Sequence, residues 1–553
     1  MFKALRVKHT ARVAWALIAV SSLVVIACGG GGSGAGKTPA AGQTATGGNQ
    51  SRLVVASVTT PPTIDSEYYS GAPQAWEIGD NLYDTLLGYQ GMDVTKTENR
   101  TIDYTNIVGR LVESADLADD GVTWTLHLRQ GVKSATGDEM TSADVKYSYD
   151  RAFAMNATGA FLCATFNLTK ADNVTVIDKY TVQMKLDAYS AVFKQVNTLV
   201  YPAILDSAVV KQHATSDDPW AAKWLATNSA GFGPYYVTEF TSGKQLVLEA
   251  NPNYWQGEVP IKEVVYRSVP DASARLSLLE SGDVDVALAL SPSQLDSIKN
   301  TTGIKIQQQS PSTTFIAIAM NPSIKPFDDV KVRQALSYAI PYQDIHDNVY
   351  KGFAVVPDSF VPSNFPDHDG EYWPYTSDLD KARELLNEAG YPNGFDVTLT
   401  FAVFTPAEQD VALAIQTSFK QIGVNLKINI VSPAVHQKAF VDRTEAMIMY
   451  TAQSHVFDSV YAVQIYLGSG PASYLNAGGY KNPQLDDLLA KGSSEKDPTQ
   501  RTQDAKQIQQ VVDNDAPWLL AAIEDYVFAA RDNVNGFGWM PDCGLRFFEL
   551  WKS

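Results

Sequence analysis

The chain has 553 residues, 43 Lys and Arg against 61 Asp and Glu, and a formal charge of −18. That length can bury the cores of about two to four compact units. The acidic balance speaks against nucleic acid and anionic lipid surfaces as partners, since both need basic footprints.

Lys3, Arg6, Lys8 and Arg12 precede an apolar run from Val13 to Ala27. The run is too short and too one-sided in charge for a comfortable membrane span, so residues 1–27 read as a signal peptide. It ends Val25-Ile26-Ala27-Cys28 and resembles a bacterial lipobox, which implies cleavage before Cys28 and a lipid on its sulfur. The remainder is then extracytoplasmic, anchored to the cell membrane. Residues 28–51 contain almost nothing a core could bury and form a flexible Gly-rich tether. Gly31, Gly36, Lys37 and Thr38 spell a phosphate-binding loop, but a cleavage site precedes them and low-complexity coil follows, where such a loop needs a strand and a helix.

Leu53–Val58 reads as a strand and Trp76–Leu87 as a helix with Ile78, Leu82 and Leu86 at one-turn spacing. In Asp120–Ala154 the residues Val122, Trp124, Leu126 and Leu128 alternate with polar ones, as in a strand with one buried face. A Gly-containing turn follows, and Thr141 with Asp144 marks the capped start of a helix running to about Ala154. This stretch resembles the "LRxGVKxxxGxxxTxxDVxxSxxR" pattern of the extracellular solute-binding proteins of ABC importers, in the oligopeptide- and dipeptide-binding family. Gly231–Tyr235 with Asn251-Pro252-Asn253-Tyr254-Trp255 is similar to that family's "GTGPY…NPxYW", Phe232 replacing the usual threonine. The segment NPSIKPFDDVKVRQALSYAI, from Asn321, resembles a third family motif.

Val174–Leu186 reads as two short strands, and Glu263–Val269, Ala272–Glu280 and Val284–Leu290 as strand, helix and strand, a crossover that makes the strands parallel. Phe315–Met320 is an apolar strand, and Asp378 caps a helix over Leu379–Ala389. Val397–Val403, Glu408–Gln421 and Asn425–Ile430 form another strand–helix–strand repeat. Met447–Tyr450 is an apolar strand, Asn482 caps a helix with Gly492 beyond its end, Arg501–Val512 is helical, and Pro517–Ala530 carries a final strand.

The resemblance implies an α/β, two-lobed periplasmic-binding-protein-like fold of type II, in its large class with an extra subdomain in lobe one. Lobe one would comprise residues 52–312, with the insert at about 91–228, and a C-terminal return over 516–553. Lobe two would comprise 313–515, leaving hinge crossings near 313 and 516.

No HExxH, no short-spaced histidine pair and no GxSxG elbow occurs, so no catalytic residue, metal or cofactor is expected. Cys163 and Cys543 either pair or stand as separate thiols. Gln453, Ser454, His455 and Asp458 follow the strand Met447–Tyr450, where ligands gather in open α/β sheets. By resemblance, Asp458 is the counterpart of an aspartate that meets a peptide's ammonium group, though the prolines of that context are absent; capping the helix Ser459–Leu467 is the competing role. Tyr68, Tyr69, Trp76, Phe404 and Thr405 are further candidate contacts. The implied function is capture of a small solute, peptide-like by preference, by a monomer that delivers it to importer permease subunits. An oligosaccharide, an opine or a metal chelate is the alternative ligand, and a secreted α/β hydrolase the alternative class.

Overall fold

The computed structural model describes residues 49–68, 73–96, 100, 102–470, 473–542 and 544–553. The signal segment, Cys28, the tether as far as residue 48, Tyr69 and Cys543 lie outside the described residues.

Strand β1 (Arg52–Ser57) leads through a loop to α1 (Pro73–Leu82). The expected helix thus stops short of Leu87, which opens a short strand, Leu87–Gln90. The insert follows with β2 (Val112–Leu117), β3 (Thr123–Leu128), α2 (Ser142–Met155), α3 (Thr158–Thr165), β4 (Val174–Asp178) and β5 (Thr181–Lys185). Its strands form a separate antiparallel sheet in the order β2-β3-β5-β4. At the start of α2 the Asp144 carboxylate accepts from both the amide and the hydroxyl of Thr141, and its second oxygen accepts from the Ser207 amide at 3.0 Å. One carboxylate closes the helix end and ties it to the next segment.

The chain returns with β6 (Tyr235–Thr241), β7 (Gln245–Ala250), β8 (Glu263–Ser268), α4 (Ala272–Ser281) and β9 (Val286–Ala287). β8 and β9 are parallel in one sheet, as the crossover requires, but β1 lies between them and pairs with both.

The chain continues with β10 (Ile304–Met320), α5 (Val330–Tyr338), α6 (Leu379–Glu388), β11 (Asp396–Phe401), α7 (Glu408–Gln421), β12 (Asn425–Ile430), α8 (Pro433–Asp442) and β13 (Met447–Gln453). Helices α9 (Ser459–Leu467), α10 (Pro483–Ser494) and α11 (Pro498–Asp515) precede the last long strand, β14 (Trp518–Arg531). Asp378 and Asn482 cap α6 and α10 as their positions imply. Gly492 does not end α10; it lies within the helix, where its missing side chain lets Val460 and Ile508 pack close.

A continuous sheet runs β12-β11-β13-β10-β14-β9-β1-β8-β7-β6 through both lobes. The apolar run at the end of β10 divides by residue parity: Ile316, Ile318 and Met320 face one core with α5–α7, and Phe315, Ala317 and Ala319 face the other with α9–α11. Burial on both faces explains why this strand reads as unbroken hydrophobicity.

β10 and β14 are the long strands at the middle of this sheet. Ile304–Gln309 pairs with Tyr526–Arg531, Thr314–Ala319 pairs with Trp518–Glu524, and the register breaks between Gln309 and Thr314. Beyond the break Thr314–Met320 also pairs with β13, while the other end of β14 pairs with β9. On β14 this break falls between Glu524 and Tyr526, inside the strand. Ala516, at the end of α11, takes a left-handed conformation at φ 43°.

Cys163 is a buried free cysteine on α3, and burial pushes its thiol pKa well up. Its proposed partner Cys543 is outside the described residues.

Candidate functional site

The end of β13 and the start of α1 meet across the lobes. The His455 imidazole stacks on the Trp76 indole at 4.4 Å with 10° between planes, and Tyr201 meets the same indole edge-on at 4.2 Å. Burial lowers the His455 pKa to about 4, against the opposing pull of Asp542, so the ring is neutral at ordinary pH, and its Nδ1 has no partner among the described residues. Gln453, the last residue of β13, is half-buried; its backbone amide donates to the Tyr466 hydroxyl at 2.8 Å, and its side-chain Nε2 donates to the Pro541 carbonyl at 3.4 Å. Ser454 is buried, and its hydroxyl is spent on the Val456 carbonyl at 2.9 Å.

Phe404 and Thr405 follow β11. Their backbone amides donate to Glu408 in the first turn of α7, which also accepts from the Thr451 hydroxyl at 2.7 Å. The clamp holds the loop while Phe404 stays 47% exposed, its ring against His436 at 5.5 Å. The Thr405 hydroxyl approaches Glu524 of the hinge strand at 3.5 Å.

Tyr68, 50% exposed, stands on the loop after β1. Arg151, the last residue of the α2 motif, holds that loop from within: its guanidinium meets Asp65 at 2.5 Å, both side chains 1% exposed. Asp65 in turn accepts from the Glu67 amide, and Glu67 accepts from the Gly159 amide at the start of α3. Burial raises the Glu67 pKa to about 7.

Asp458 does not join these side chains. Its Oδ1 accepts from the Tyr461 amide at 2.9 Å and from Arg501 at 2.9 Å, and its Oδ2 meets Arg501 at 2.7 Å. This buried carboxylate thus caps α9 and is neutralised by a two-pronged guanidinium. In this structure Asp458 takes the capping role, with its charge paired to Arg501.

Trp76, Gln453, Ser454 and His455 thus gather at one place, Phe404 and Thr405 lie beside the hinge, and Tyr68 stands on its own loop. Glu408 and Glu524 were not anticipated; Glu408 was legible only as a helix start and Glu524 only as one polar residue in a strand. Further contacts join the lobes. Phe161 meets Tyr474 at 5.1 Å, the Ala191 amide donates to the Ser493 carbonyl at 3.1 Å, and Lys496 lies over the Tyr189 ring at 5.1 Å. Among the described residues no group of three or more His, Cys, Asp and Glu could hold a metal, and no helix is long and apolar enough to cross a membrane.

Residues 106–474 match the family described as bacterial extracellular solute-binding proteins, family 5 Middle. The chain belongs to family 5 of the bacterial extracellular solute-binding proteins. It is 30% identical over 449 residues to the glutathione-binding protein GsiB of Escherichia coli K12, covering 79% of this chain and 84% of that one. Helicobacter pylori DppA in complex with the peptide STSA shares the fold with a TM-score of 0.79 at 23% identity, over 91% of this chain and 98% of that one. AgaA of A. tumefaciens R10, in complex with agropinic acid, does so with a TM-score of 0.75 at 22% identity, over 91% and 99%. This family 5 protein is accordingly an extracytoplasmic substrate-binding protein of an ABC importer with the two-lobed type II fold, and a binding protein rather than an enzyme.

Proposed function

We propose that this chain is a lipid-tethered receptor that captures a peptide-like solute between its lobes and hands it to the importer's permease subunits. The carrying observation is the pair of long strands, β10 and β14, whose register breaks in mid-strand, with Trp76 stacked on His455 and with Thr405 beside Glu524 at the break. Contacts made to both lobes exist only when the lobes are together, and that difference in affinity shifts the population toward closure. Tyr68, Tyr69, Trp76, Phe404, Thr405, Gln453, Ser454 and His455 are the proposed contact set, the Ser454 contribution coming from its backbone. The likeness to a glutathione-binding protein at 30% identity favours a short peptide. Cys28 carries the lipid, and the tether holds a monomeric body off the membrane.

An opine is the second reading, favoured by the likeness to AgaA and by the uncharged Gln453 and His455. A thermal-shift panel of glutathione, di- to tetrapeptides, opines, oligosaccharides and nickel–histidine complexes separates the two. A solute at a hundred times its Kd adds about 2.7 kcal/mol to stability, and mass spectrometry should recover it unaltered. Stabilisation by opines with none by any peptide would replace the first reading with the second; turnover of any member would end both. Radiolabelled palmitate should enter the wild-type chain in bacteria and be lost in Cys28→Ser; no incorporation in the wild type would remove the anchor.

A further inference from the structure

Two carboxyl groups are linked through Thr405 beside the break between β10 and β14, and among the described residues neither forms an ion pair. Glu524 lies where β14 passes from pairing with the second half of β10 to pairing with the first. Its Oε1 accepts from the Tyr350 hydroxyl at 2.8 Å and the Thr405 hydroxyl at 3.5 Å, and its backbone carbonyl accepts from Ser312 of β10 at 2.6 Å. Glu408, buried at the start of α7, takes the Phe404 and Thr405 amides on one oxygen and the Thr451 hydroxyl on the other. Thr405 therefore touches both carboxyl groups, one through its hydroxyl and the other through its amide.

The surrounding charges do not neutralise the pair. Asp525, next along β14, adds repulsion and is occupied by Gln308 of β10 at 2.6 Å. The turn Ile345–Val349 brings His346, which pairs with Asp347 and acts on Asp525. On α5, Lys331 is held by Glu388, and Arg333 by the Phe327 and Asp515 carbonyls. On α4, Arg275 is spent on the carbonyls of Val269, Pro270, Leu288 and Ala289.

We propose that Glu408 and Glu524, coupled through Thr405, are not both ionised while the lobes are together, and that ionisation of the second biases the hinge toward opening, so that solute capture is linked to pH. Two close carboxylates away from water resist ionising together. Burial, reinforced by Glu408, raises the Glu524 pKa to about 7, and burial raises that of Glu408. Once both ionise, repulsion is relieved when the Thr405 loop moves off β14 and water enters. The linkage goes beyond the identity of the solute and is tested without one.

The test is small-angle X-ray scattering of the solute-free protein between about pH 5.5 and 8.5. The wild type should show a radius of gyration that rises with pH, with its midpoint near neutrality. Glu524→Gln keeps an amide for Tyr350 and Thr405 but no charge, and should remain compact across the range. Glu408→Gln should do the same and serves if the first variant does not fold. A wild-type radius that does not change with pH overturns the proposal, and so does an undiminished rise in a folded variant of either glutamate.

Discussion

The carboxylate of Asp458 is taken up by the Tyr461 amide and by two nitrogens of Arg501. Removing one member of a buried ion pair leaves the other uncompensated, so Asp458→Ala should lower stability by about 3 kcal/mol. Urea denaturation should record that loss while solute affinity moves by less than about twofold. Gln453→Ala should show the reverse pattern, a solute affinity about tenfold weaker, or ~1.4 kcal/mol, with little change in stability. Equal affinity in the Gln453 variant would remove that residue from the proposed contact set. His455 supplies a third test. Its pKa of about 4 follows from burial, so the ring's proton resonances should not titrate between about pH 5.5 and 7.5.

At the scale of elements, the Gly231–Tyr235 bend shows why its motif needs glycine. A Cβ on Gly233 would lie 2.5 Å from the Leu82 carbonyl oxygen, and one on Gly231 would lie 2.4 Å from the Tyr83 ring. The bend runs against the end of α1, and only a residue without a side chain permits that approach. Gly233→Ala should cost about 2–3 kcal/mol of stability. Because α1 carries Trp76, the same variant should weaken solute binding when assayed while still folded. Loss of stability with wild-type affinity would show that Trp76 tolerates displacement or makes no contact. The loop after β1 follows similar logic: its scaffold is Arg151, a residue of another element reaching in from α2.

The whole molecule buries an unusual set of acids. Burial lifts the pKa of Glu67, Glu77, Glu524 and Glu549 to about 7 and that of Asp513 to about 8. A carboxyl whose folded pKa exceeds its unfolded value binds a proton more tightly when folded. Its contribution is present at low pH and lost as pH rises through the folded pKa. His368, raised chiefly by Asp358, acts in the same direction. Neutral buried His455 and His436 act oppositely, but their effect is confined to pH below about 6.5. Between about pH 6.5 and 8.5 stability should therefore fall, by about 3–5 kcal/mol in guanidinium denaturation. Stability that rises across that window would contradict the assignment of these acids as protonated in the fold.

What the sequence by itself determined is what short-range physics writes into neighbouring residues: alternation in β3, the Thr141–Asp144 cap, the caps at Asp378 and Asn482, and the ordered motif that carries the family and its two-lobed architecture. Only the tertiary structure decided that Asp458 belongs to Arg501, that His455 stacks on Trp76, that Cys163 is a buried thiol, and that the register of β10 with β14 breaks inside both strands. Those facts depend on groups far apart in the chain, here 43 residues for Asp458 and Arg501. A side chain's type restricts the partners it can take, but folding brings one of them within reach.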